Sequence, residues 1–371
     1  MAQLQTYLRD SLQKNTLDQV CNNINIKYSR HCNYPNLVLF KYKNILVDFS
    51  NVCTCQARGI ILNENDNWNI VSYPYDKFFN YGEKYAATIN WDNINVYEKL
   101  DGCLMTMFYY GDKWLVSSSG KPDASGITST DKNMTLGQVF WEIWNNNNYV
   151  LPQDVNLCYM FELLTDKNPV KIKYLTNDII LHGARNIKTF EEFLPGDIAK
   201  FYNWKSIQVH NISNNIDTIV DFVNQRSGFN YEGLVICDNN FNRLKIKSKE
   251  YFTNVYFLSN NNKKYETCKK KIFELSITNN TNDLNELLAA FPDFVQVNEG
   301  IDKQIAITID KIQKNYDDIK HLVEDRKQFA QESLKSSYST VLFLMRNKAM
   351  NPRECLEKLG YDYFDKINKM P

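Results

Sequence analysis

Hydrophobic positions along the chain follow two successive patterns. Up to about residue 250 they fall in short runs separated by turn residues. Leu37-Val38-Leu39-Phe40, Ile45-Leu46-Val47 and Arg58-Gly59-Ile60-Ile61-Leu62 have the length and apolar content of strands. Residues 103–110 and 114–117 flank Gly111-Asp112 and predict a hairpin, because these residues tolerate the positive φ angles of a tight two-residue turn. Residues 157–164, 179–181 and 234–237 read as further strands rich in β-formers. After Asp238-Asn239-Asn240 the segment Arg243-Leu244-Lys245-Ile246-Lys247 alternates with period two, which puts Lys245 and Lys247 on one strand face. Helices are expected near residues 136–144 and 216–223, with Asn145 to Asn148 as a loop.

Past about residue 255 the spacing becomes helical. Ile305, Ile309, Ile312, Tyr316, Ile319 and Val323 step by three and four and share one helix face. The stripe covers fewer than three heptads, so it reads as the core side of an α-helical domain and not as a coiled coil. Asn351-Pro352 marks the start of a late helix, where proline is tolerated in the first turn.

Composition narrows the function classes. The 371 residues leave room for two domains, and 43 basic against 43 acidic side chains give zero formal charge. That excludes a binder driven by a large positive excess but leaves a local cationic patch open. Residues 251–371 are themselves balanced, with 18 basic and 17 acidic side chains. No apolar run approaches the ~18–20 residues that span a bilayer. Met1 to Gln5 lack the pattern of a signal peptide. The expectation is a soluble, cytoplasmic protein without a membrane partner. The nine cysteines are too few for a disulfide scaffold. His31, Cys32, Cys53 and Cys55 come nearest to a metal cluster, but Cys53-x-Cys55 lacks the gap of a zinc pair, so the thiols read as reduced and structural.

Charged residues inside the strand pattern carry the chemistry. Lys99-Leu100-Asp101-Gly102 precedes the 103–110 strand. Phe161-Glu162-Leu163 sets a carboxylate within an apolar run, and Glu232-Gly233-Leu234-Val235 sets another at a strand mouth. Lys245 and Lys247 follow. Charged groups are seldom placed in buried strands without partners, so four such features in order point to a site.

This ordered set resembles the covalent nucleotidyltransferase superfamily of polynucleotide ligases and mRNA capping enzymes. Ala57-Arg58-Gly59-Ile60-Ile61 and Tyr75-Asp76-Lys77-Phe78-Phe79-Asn80 narrow the likeness to the ATP-dependent RNA ligase 1 family, the T-even phage type, over about residues 55–260. The resemblance implies an α+β fold. Residues 1–254 would form an adenylyltransferase domain of packed antiparallel sheets with flanking helices and an N-terminal extension, and residues 255–371 an all-α domain that selects the RNA. It implies ATP as AMP donor and Mg²⁺ or Mn²⁺ as cofactor. The product would be a sealed RNA, such as a cleaved tRNA, with an end-healing kinase or phosphatase as a partner.

Roles carry over by position. Lys99 would attack the α-phosphate of ATP and hold AMP in a phosphoramidate bond. An ordinary lysine, with a pKa of about 10.4, is neutral in roughly one molecule in 2,500 at pH 7, equivalent to about 4.6 kcal/mol, so its surroundings must favour the free amine. Lys245 and Lys247, with the metal, would supply that field and stabilise the transferring phosphate. Arg58 and Lys77 would bind ATP phosphates. Phe79 would pack beside the nucleotide or support Lys77, Gly102 would admit the ribose, Glu162 would accept from ribose hydroxyls, and Glu232 would hold the metal or its water. Tyr42 is a further stacking or phosphate candidate. Ser119 stands where the family places a basic residue before a glycine, and Lys121 is the expected substitute. The segment 181–185 lacks an aromatic residue for the base, and His182 and His210 read as ordinary side chains. A DNA ligase or a GTP-using capping enzyme would append a β-barrel, where this chain has helical spacing. An RNA-binding homologue without activity is the reading from a different class.

Overall fold

The computed structural model describes residues 2–44, 47–228, 230–257 and 264–369. Of the described residues, 2–43 and 47–255 form one compact unit, and residue 44 groups with those from 256 to 369 in a second.

Three sheets, antiparallel but for one short edge strand, build the first unit. One runs β1(Ile26–Arg30)-β2(Leu37–Tyr42)-β3(Arg58–Asn63)-β4(Asn69–Ser72). In the second, β5(Phe79–Asn80) adds in parallel to an otherwise antiparallel set of β13(Arg243–Lys247), β12(Gly233–Asp238) and β6(Ile94–Lys99). In the third, β7(Cys103–Tyr110) and β8(Lys113–Ser118) continue into β9(Leu157–Leu164), β10(Asp178–Asn186) and β11(Glu192–Phe193). The expected hairpin is β7–β8, with Gly111 and Asp112 both at positive φ. Of the expected strands, residues 45–46 lie outside the described positions.

Period-two alternation assigns each strand face. Leu37, Leu39 and Ile61 pack with Phe108 and Met160 between the first and third sheets. Val38, Phe40, Ile60 and Leu62 point the other way, onto Leu4 and Leu8 of the helix Gln3–Ser11. The far face of the third sheet is covered by the helix Leu136–Asn146 through Val139, Phe140 and Trp144. A capping box starts that helix at Thr135 with Gln138. It runs into the asparagine run expected as a loop, and the chain turns only at Asn147 and Asn148.

The second sheet buries Leu234, Ile236, Leu244 and Ile246 against Ile219 and Val223 of the helix Ile216–Asn224. Each such side chain contributes roughly 1.5–3 kcal/mol. Alternation therefore turns Val235, Arg243, Lys245 and Lys247 to the opposite face. That face is the site.

The second unit is helical. Its longest helix, Val295–Ile319, packs on Lys264–Ile277 and Pro352–Lys369. Ile305 and Ile312 of the expected stripe are buried with Ile301 and Thr308, whereas Val323 lies past the helix end. Arg353 donates to the carbonyls of Ser276 and Ile277 at 3.0 and 2.9 Å, satisfying the C-terminus of one helix from another. Among the described residues no helix is long and apolar enough to cross a membrane.

Candidate active site

Strand register assembles the centre of the site. Gly233 pairs with Lys99 on one side and Lys247 on the other, and Glu232 immediately precedes it. Three neighbouring strand ends thus bring an ammonium, a carboxylate and a second ammonium together. Lys99 Nζ lies 2.7 Å from Glu232 Oε1, and Lys247 Nζ lies 3.7 Å from the same oxygen. Glu232 is 3% exposed. Burial pushes its carboxyl above the ordinary range, although Lys99 and Lys247 pull it down. Its other oxygen, Oε2, is buried without a hydrogen-bond partner among the described residues. A hard anionic oxygen left unpaired in this way fits a divalent cation.

The loop after Lys99 is held by Asp101. Its Oδ2 accepts from the backbone N–H groups of Lys171 and Ile172 at 2.8 and 2.6 Å, and its Oδ1 accepts from the Tyr251 hydroxyl at 2.9 Å. Its own N–H donates to the Tyr174 hydroxyl at 3.1 Å. Gly102 N–H donates to Glu162 Oε1 at 3.1 Å. A Cβ on Gly102 would come within 2.5 Å of the Leu163 carbonyl, so the close approach there is to strand β9.

Lys99, Lys245 and Lys247 line a cleft of about 190 Å³ with Arg58, Glu162 and His182. Aromatic side chains make much of its wall, and the Arg58 guanidinium lies 5.4 Å from the Phe78 ring centroid. A bulge between Leu181 and Gly183 breaks the β9–β10 pairing. His182 stacks on Tyr75 there, with its Nε2 3.3 Å from Glu162 Oε2.

Arg243, half-buried, also lines the cleft. It and Arg185 flank Glu192, each 2.5 Å from one carboxylate oxygen. Arg243 also lies over Tyr75, 4.2 Å from the ring centroid. Burial alone would raise Glu192, but Arg243 and Arg185 outweigh it and hold the carboxyl below its usual value.

Residues 56–257, more than half of the chain, match the family described as RNA ligase, of the T4 RNA ligase 1 type. The chain belongs to this RNA ligase family. It is 29% identical over 187 residues to an RNA ligase of Rhodothermus phage RM378, which covers 42% of each chain. It is 23% identical over 295 residues to a protein of Autographa californica nuclear polyhedrosis virus named as a bifunctional polynucleotide kinase/RNA ligase, covering 75% of this chain and 40% of that one. The chain thus spans about two fifths of the length of these relatives. An archaeal ATP-dependent RNA ligase structure resembles it at 10% identity and a TM-score of 0.46, over 78% of this chain and 77% of that one.

Within this RNA ligase family member the expected site residues fall into three groups. Arg58, Lys99, Glu162, Lys245 and Lys247 share the cleft, with Glu232 and Gly102 directly bonded to members of that set. Lys77 and Phe79 line an adjoining pocket. There the Lys77 ammonium sits 5.8, 5.2 and 5.1 Å from the ring centroids of Tyr42, Phe49 and Phe79. Lys121 is not brought to the cleft. Its backbone closes a turn with Ser118, and its side chain is exposed. The ammonium beside Ser119 is that of Lys41, 3.2 Å from the hydroxyl.

His182, read from the sequence as an ordinary side chain, and Arg243 also line the cleft, and Asp101 anchors the loop beside it. The signal for His182 was a glycine directly after it inside a strand pattern, a mark of a bulge. Away from the cleft, His31, Cys32 and Asp123 offer possible metal-ligand atoms within 4.8 Å of one another. Cys53 and Cys55 are not in that group.

Proposed function

We propose that this chain is an ATP-dependent RNA ligase that joins a 5′-phosphate to a 3′-hydroxyl through a lysyl-AMP intermediate and an adenylylated RNA end. One observation carries the reading: Lys99, Glu232 and Lys247 converge at three adjacent strand ends within the segment that matches the family.

Lys99 Nζ attacks the α-phosphorus of ATP, the bond to the pyrophosphate oxygen breaks, and pyrophosphate leaves with that electron pair. The proton lost from the amine has an acceptor at 2.7 Å in Glu232 Oε1. Lys245 and Lys247 neutralise charge building on the transferring phosphate. Glu162, oriented by Gly102 N–H, accepts from the ribose hydroxyls. Glu232 Oε2 is the atom suited to hold Mg²⁺ or Mn²⁺, which would supply Lewis-acid stabilisation of phosphate oxygens. AMP then passes to the RNA 5′-phosphate, and the 3′-hydroxyl displaces it. In this reading the helical unit selects the RNA, a cleaved tRNA being one candidate, and an end-healing kinase or phosphatase prepares the termini.

The test uses ATP or GTP labelled at the α-phosphate, with Mg²⁺ or Mn²⁺, and follows label on the denatured chain. Label from ATP that disappears in Lys99→Ala supports the proposal. Transfer only from GTP, or no adduct from protein freed of bound AMP, overturns it.

A further inference from the structure

Three cations stand level across the first sheet. Lys27 pairs with Lys41 across β1–β2, and Lys41 pairs with Arg58 across β2–β3. Like charges directly opposite one another destabilise a sheet. Nothing acidic offsets them at the centre of the row. Lys41 makes no ion pair among the described residues, and burial together with Lys27 and Arg58 pushes its ammonium below the ordinary lysine range. A row of this kind is stabilised when an anion joins it.

The local backbone is shaped to keep these groups together. The β2–β3 register shifts between Phe40 and Lys41, and Gly59 sits at φ +99° beside the shift. The bulge leaves Arg58 opposite Lys41. The Ser118–Lys121 turn meets the same spot: a Cβ on Gly59 would lie 3.7 Å from Ser119 Cα, and one on Gly120 would lie 3.8 Å from Lys41 Nζ. Lys41 Nζ itself reaches the Ser119 hydroxyl at 3.2 Å.

We propose that Lys41, Ser119 and Arg58 form a phosphate subsite that receives the pyrophosphate end of ATP. The inference rests on the ATP-dependent reading above. Arg58 lines the cleft that contains Lys99, whereas Lys41 lies one strand farther along the row. A chain of phosphates whose α-group meets Lys99 therefore extends past Arg58 to Lys41. As the bond to the α-phosphorus breaks, the negative charge gathers on the departing pyrophosphate, beside the two cations. Lys41 thereby supplies from β2 the charge that Ser119 lacks and Lys121 does not bring.

The experiment compares wild type with Lys41→Met, Lys41→Arg, Ser119→Glu and the double variant Lys41→Met/Ser119→Lys. Three quantities are read: the ATP concentration giving half-maximal adduct formation, the pyrophosphate concentration giving half-maximal discharge of the adduct, and ATP-independent sealing of RNA already adenylylated at its 5′ end. Lys41→Met should raise the first two by about tenfold or more, the scale of one lost charged contact, and leave the third within about twofold. Lys41→Arg should stay near wild type, and the double variant should recover. Ser119→Glu keeps the lysine but neutralises it, so it should repeat the Lys41→Met pattern even if the single lysine variant folds poorly. Unchanged ATP and pyrophosphate dependence overturns the subsite, as does a loss confined to sealing, which would assign these residues to RNA. Failure of the wild type to form any adduct would instead overturn the activity on which the subsite depends.

Discussion

Lys99 Nζ and Glu232 Oε1 lie 2.7 Å apart although 133 positions separate them in the chain, because β6 and β12 are neighbours in one sheet. The contact joins the nucleophile of the proposed reaction to a buried carboxylate that can accept its proton. Glu232→Gln keeps the shape and removes the base. Adduct formation should fall by at least about 100-fold, the lower end of general-base effects. A fall of less than about tenfold in labelled adduct, in protein that keeps the wild-type thermal midpoint, would remove Glu232 as the base.

Asp101 fixes the loop between Lys99 and Gly102 rather than touching the cleft. Asp101→Ala strips an acceptor from two backbone amides and the Tyr251 hydroxyl, and should lower stability by about 3 kcal/mol. Asp101→Asn can still accept at one oxygen, so its loss should be less than half as large. Urea unfolding of the two variants provides the comparison, and equal losses would contradict the assignment.

Glu192 lies between Arg185 and Arg243 in a largely buried triad. Glu192→Gln leaves two guanidinium groups without their shared anion and should destabilise the fold by about 3–5 kcal/mol at neutral pH. The folded-state carboxyl is lowered, so its contribution is present above the ordinary value of 4.5 and is lost as pH falls through the lower folded value. Wild-type stability should therefore drop more steeply than that of Glu192→Gln on acidification below about pH 4.5. Parallel curves in chemical unfolding would refute the coupling.

Lys77 tests the adjoining pocket. Its ammonium sits among three aromatic rings, where a methionine of similar length packs well. Lys77→Met should keep the thermal midpoint within a few degrees while weakening ATP dependence by about tenfold, the equivalent of roughly 1.4 kcal/mol. A large drop in midpoint with unchanged ATP dependence would make Lys77 a packing residue.

The elements themselves were largely legible in the sequence. Residues 157–164 and 243–247 are apolar or alternating runs bounded by turn residues, and β9 and β13 occupy those spans. Periodicity also told that Lys245 and Lys247 share a face, because that property belongs to a single strand. Motif order named Lys99, Glu162 and Glu232 as members of one site. The helical stripe from Ile305 was readable for the same reason, up to the helix end at Ile319 that spacing alone could not set.

What the tertiary structure decided was every relation between strands. Nothing local in Lys41 marks it as the cation next to Ser119, since that contact depends on the β2–β3 register and on where the β8 turn returns. Lys121 looked suitable because it is near Ser119 in sequence, yet the turn leaves its side chain exposed. His182 entered the cleft through a bulge, and Asp101 became a loop anchor through amides 70 and 71 residues away. Strand alternation is encoded by neighbours in the chain, whereas pairing register, bulges and loop return are set by packing between distant segments. The sequence alone therefore named the residue types that the chemistry needs, and the fold chose which of them meet.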